Sequence, residues 1–220
     1  MTIAEGVLER RLAQSSKNAS WPISPQILSH NRIEELSEIA AQNTVDGMIA
    51  QDHDDYDSAC LHFSIALRPL FPEFDNEQIL KACQAFTSAL FAQSKLKDQT
   101  GHSKEEMLHD ERWEYVRNEL LKMCELLDIP KSYGTETTDW FRYHGIRDDT
   151  YLKHLVEAHR VLTKRVVGND TWHRELAGLY MCAVALHDKH DREATLRGRE
   201  IMRTYFNILF RAKADNWSAH

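Results

Sequence analysis

Glycine and proline are both scarce in this sequence, at 8 and 5 of its 220 residues. An all-β fold uses both in its turns, so the shortage argues against one. No apolar run approaches the ~18–20 residues that a membrane-spanning helix needs. The first residues, MTIAEGVLERRLAQ, lack the charged-then-apolar layout of a secretory signal. The four cysteines, Cys60, Cys83, Cys124 and Cys182, include no CxxC pair, which argues against a zinc knuckle. Each falls in an apolar helical stretch, where a free thiol packs as a small hydrophobe. The expectation is core packing in a reducing compartment, and hence a cytoplasmic protein with no membrane association. Also missing are a phosphate loop, a dinucleotide fingerprint and a nucleophile elbow.

What is present is an ordinary globular composition, 42% hydrophobic and 28% charged, with enough chain for one large helical domain or two small ones. The charge is uneven. Residues 1–139 hold 13 Lys/Arg against 24 Asp/Glu, and residues 140–220 hold 14 against 10. The first part is therefore net −11 and the second +4, which together make the −7 of the whole chain. An acidic part and a basic part suit different partners. Histidine is the compositional outlier: there are 12, seven of them from His144 onward.

Helix signals recur along the chain. Thr2 and Glu5 form a capping box for a helix to about Lys17, and Ser24 before Pro25 marks another start. A helix is expected over about 32–49, then the acidic loop QDHDDYD, then a short helix that stops before Pro69. Pro72 and Asn76 frame the next start, after which Ile79, Leu80, Cys83, Phe86 and Leu90 keep the 3–4 spacing of a buried stripe. Ser103 and Glu106 form a second capping box, ahead of the line Trp113, Val116, Leu120, Cys124 and Leu127. Residues 131–147, with two glycines and a Ser/Thr cluster, read as a connecting segment between an acidic helical part (1–130) and a basic one (148–220). Helices are expected at about 148–167, 171–188 and 192–213, with Gly168-Asn169 dividing the first two. The fold class is all-α, a multi-helix bundle of about eight helices.

The stretch LYMCAVALHDKHD, residues 179–191, carries the sharpest chemical signal. His187 continues the line His173, Leu176, Tyr180, Ala183, so its plain reading is a helix end, with Asp188 or Asp191 capping the next helix. With His154 on the preceding helix, the His187-Asp188 pair also resembles the metal site of HD-domain phosphohydrolases. That resemblance implies a divalent metal held by His154, His187 and Asp188, whose bound water attacks a phosphate ester. The family adds a downstream aspartate, and this chain offers only Asp191 and Asp215 in its place.

Three further patterns bear on chemistry. Arg147 and His154, in RDDTYLKH, resemble the spacing of HEPN-type ribonucleases, which implies metal-free cleavage by paired protomers. Glu106 and His109 form one ExxH, the element that di-iron bundles use twice, and the chain has no second copy. The aspartates of 52–57 lack the glycine and distal glutamate of a calcium loop and read as a solvated turn.

The last helix carries Ile201, Met202, Tyr205, Phe206, Ile208, Leu209 and Phe210 around most of its circumference. Such a helix is either central in its bundle or shared with a partner. Arg192, Arg197, Arg199 and Arg203 on its first turns suit phosphate or an acidic partner. The reading is a helical interaction or regulatory subunit of an assembly, with no cofactor. It would contact a protein partner or a second copy through Arg192, Arg199, Arg203, Tyr205, Phe206 and Phe210, and nucleic acid is the other class its basic third would take. The enzymatic alternatives are the HD-like phosphohydrolase and the HEPN-type ribonuclease.

Overall fold

Aspartates placed just ahead of apolar stripes set several of the helix starts. The computed structural model describes residues 30–97, 110–143 and 149–218. Over these residues it has eight helices and no strand. They are α1 (His30–Asp52), α2 (Tyr56–Leu67), α3 (Asn76–Lys97), α4 (Arg112–Leu126), α5 (Lys131–Tyr143), α6 (Asp149–Val167), α7 (His173–His187) and α8 (Arg192–Ser218). The expected helix over 2–17, the start at Ser24-Pro25 and the capping box at Ser103 and Glu106 lie outside the described residues. Among the described residues no helix is long and apolar enough to cross a membrane.

Local chemistry accounts for the breaks. After α1 the chain reverses through Asp54 at φ 56°, a left-handed position that aspartate tolerates. Asp55 then caps α2 by accepting from the Ser58 N–H at 3.0 Å. Asp75 does the same for α3, accepting from the Gln78 N–H at 2.8 Å. Gly168, at φ 90°, ends α6 where the sequence places a break, because glycine enters that conformation without steric cost. The turn at 188–191 separates α7 from α8 and passes through His190 at φ 51°, so no continuous helical arm runs from 171 to 213.

The chain divides into two compact units, one of residues 1–80 with 179–220 and one of 81–178. In the first, α1 packs on both α2 and α8, and its core includes Leu36, Phe71, Met202, Leu209 and Phe210. Gly47 permits the approach of α1 to α2: a Cβ there would lie 2.7 Å from the Phe63 ring. In the second, α5 packs on α4 and α6, around Val116, Leu120, Leu127, Trp140 and Leu155.

The expected connecting segment, 131–147, differs from the structure over most of its length, because Lys131–Tyr143 is the helix α5. Its buried face is Gly134, Thr137, Thr138, Trp140 and Phe141, so small and hydroxylated residues stand where an apolar stripe would be sought. A Cβ on Gly134 would come within 3.2 Å of the Leu120 backbone and 3.3 Å of Cys124 Sγ. The glycine read as a loop signal is a point of close helix–helix contact.

Candidate functional site

One row of polar side chains on α8 is spent on α1. Glu34 accepts hydrogen bonds from Arg203 at 3.0 Å, Asn207 at 2.8 Å and Arg211 at 3.2 Å. These three donors stand four residues apart, so one helical row meets one carboxylate. Hydrogen bonds from Asn207 and Arg203 hold the Glu34 carboxyl below its ordinary range. Arg203 also reaches Glu38, Nε to Oε2, at 3.3 Å. Below this row Tyr205 (5% exposed), Phe206 (4%) and Phe210 (1%) are buried. The expectation that these three aromatics meet a partner is thereby corrected. They fill the core of their own unit, and Arg203 is compensated within the chain. Of the expected contact residues, Arg192 is exposed and Arg199 half-buried.

The His-Asp-Lys-His-Asp turn is held together locally. His187 Nε2 stands 2.9 Å from Asp52 Oδ2, and His190 Nδ1 stands 3.5 Å from the same oxygen. The last residue of α7 and the turn after it are thus tied to the last residue of α1. Asp191 caps α8, its Oδ1 accepting from the N–H groups of Glu193 (2.8 Å) and Ala194 (2.9 Å). Asp188 is exposed, its N–H donating to the Val184 carbonyl.

His154 belongs to the other unit. Its Nδ1 lies 2.7 Å from Glu136 Oε2, and its ring stacks on Tyr143 at 5.8 Å between centroids. Glu136 and Tyr143 share one face of α5 at i and i+7, which fixes the imidazole between them. The two histidines of the HD-like pattern therefore each have a carboxylate partner from their own unit. Among the described residues no group of three or more His, Cys, Asp or Glu side chains is arranged to hold a metal ion. Arg147, Glu106 and His109 lie outside the described residues.

His159, on α6, is a different kind of histidine. It is 6% exposed, and its Nδ1 lies 2.9 Å from the Leu155 carbonyl. Burial pushes its pKa down to about 4, so it packs as a neutral side chain. Burial likewise raises the Cys124 thiol to about 11. Cys60 and Cys83 are also buried, whereas Cys182 is exposed, against the expectation of core packing for all four.

Of the carboxylates that organise these clusters, Glu34 and Glu136 carry no signal in the sequence, and Asp52, expected in a solvated turn, is the last residue of α1 and pairs with His187 and His190. Each meets its partner across a long stretch of chain, which local spacing does not encode. Compared with protein-family models, with curated proteins and with solved structures, the chain matches none.

Proposed function

We propose that this chain is a helical interaction module that engages a protein partner through the α7–α8 hairpin. One observation carries the reading. Residues 179–186, LYMCAVAL, contain no charged side chain, yet Ala183 alone among them is buried, and Cys182 and Ala185 are exposed. Leu196, one turn into α8, is 48% exposed. A helix this apolar is ordinarily covered on most of its circumference, and apolar surface left open on a folded unit marks a contact face. The two helices lie side by side at Gly198, where a Cβ would be in ordinary contact with the Ala183 carbonyl at 3.6 Å and Leu186 Cβ at 3.8 Å.

The test is co-purification of the full chain, after in-cell crosslinking, from the cells that express it, alongside an Ala185→Arg/Leu196→Glu variant. Both substitutions fall at exposed positions, so helix content by circular dichroism should be unchanged. The expected result is a partner retained near stoichiometry by the parent and lost by the variant. Equal retention by the two proteins, or none by the parent, overturns the reading.

A second reading rests on the Glu136–His154 pair. A carboxylate on Nδ1 fixes the tautomer and leaves Nε2 to accept or donate a proton, as metal-free acid–base catalysis requires. The HEPN-like reading would add Arg147. It expects single-stranded RNA to be cut by the parent and spared by His154→Ala, with EDTA making no difference. Equal cleavage by both proteins, or none by the parent, removes it.

A further inference from the structure

The arginines of α8 fall into two groups. Arg197 pairs with Glu193, Arg203 with Glu34 and Glu38, and Arg211 with Glu34. Arg192 and Arg199 have no hydrogen bond or ion pair among the described residues. Arg199 Nε is moreover buried without an acceptor. A buried donor with no partner is costly to leave unmade, so the arrangement lacks an acceptor. Between these two arginines, at i+4 from the first and i−3 from the second, lies Leu196, the most exposed large hydrophobic side chain among the described residues of the first unit. The spacing 192, 196, 199 puts all three on one face of the helix.

We propose that Arg192, Leu196 and Arg199 form a docking stripe for an acidic protein segment that places an apolar side chain between its carboxylates. The inference rests on the interaction reading above and specifies the partner's chemistry. The stripe's two charges are uncompensated, and a guanidinium fork takes a carboxylate in a fixed planar geometry. Leu196 decides between polyanions: it sits at the centre of the stripe, where a phosphate backbone has nothing apolar to offer. Two arginines on a chain of net charge −7 also make a weak footprint for nucleic acid. Glu200 is exposed one row aside, so the stripe itself carries only positive charge. Asp191 is already committed as the cap of α8.

The stripe is tested by fluorescence anisotropy with the full chain and four probes. These are 15-residue peptides of Glu and Leu, of Glu and Ser, and of Lys and Leu, and a single-stranded RNA. The expected result is binding of the Glu/Leu peptide that weakens with salt. Affinity should fall at least about tenfold in Arg192→Ala/Arg199→Ala and again in Leu196→Ser, as for central contact residues. The Glu/Ser peptide should bind at least about tenfold more weakly. Failure of the Glu/Leu peptide to bind, or equal binding by the arginine variant, overturns the proposal. So does preferred binding of the Lys/Leu peptide, or RNA binding that Leu196→Ser leaves intact, which would make the stripe a phosphate contact. If the peptides fail while co-purification still depends on Leu196, the acidic chemistry is wrong and the interaction reading stands. If the chain also retains no partner, both fall.

Discussion

Asp52 takes two histidines on one carboxylate oxygen, so its removal should loosen the α7–α8 turn rather than unfold the chain. Asp52→Ala is expected to cost about 1–2 kcal/mol in urea unfolding, with hydrogen exchange rising first at 187–191. Lys213 is a stronger case. It is buried, and its Nζ donates to the Leu70 carbonyl at 2.6 Å. Lys213→Met leaves that carbonyl without its donor, and a loss of about 1–3 kcal/mol is expected by the same measurement. His159 sets a pH dependence. Its pKa is about 4 in the folded chain against an ordinary 6.5, so the unfolded chain binds the proton first as pH falls. Its contribution is whole above pH 6.5 and is lost progressively down to about 4, amounting to roughly 3 kcal/mol. A thermal scan of the parent against His159→Leu should show the two pH profiles diverging across that window. Parallel profiles would mean that His159 is not held neutral by burial.

The helices that the sequence makes legible are those with both a period and a punctuation mark. α6 has its apolar line and Gly168; α8 has Asp191 ahead of it and a dense run of large apolar residues. α5 has neither. Its buried face is built on Gly134 and two threonines, and those residue types score as loop on composition alone. The signal that marks it is spacing, with 134, 137, 138 and 141 on one side of a helix. That geometry makes a firm forecast: Gly134→Val should destabilise by about 1–3 kcal/mol, because the added atoms press on the Leu120 backbone, which has no rotamer with which to yield. At α8 the sequence left open whether an all-round apolar helix is central or shared. The structure divides the answer along its length. From Met202 to Phe210 the large apolar residues Met202, Tyr205, Phe206, Leu209 and Phe210 are buried in their unit, whereas in the turns before them Arg192, Leu196 and Arg197 are exposed and Ala194 and Gly198 are buried. The clusters at Glu34, Asp52 and Glu136 were not legible, since no periodicity links residues that meet across more than one helix.

At the scale of the whole chain, 1–80 and 179–220 build one unit and 81–178 the other. The first unit holds the acidic α1 and the basic α8 together, so the charge asymmetry of the sequence is partly consumed inside it. Among the described residues Arg192 and Arg199 are left without an ion pair, beside the apolar residues of α7. The most direct test of the interaction account is to place a photo-crosslinking amino acid at position 196 of the full chain in cells, with position 115 in the other unit as control. Tyr115 is comparably exposed, at 52%. The account predicts one dominant adduct from position 196 and none of matching size from 115. Equal, diffuse labelling from both positions, or none from 196, would contradict it.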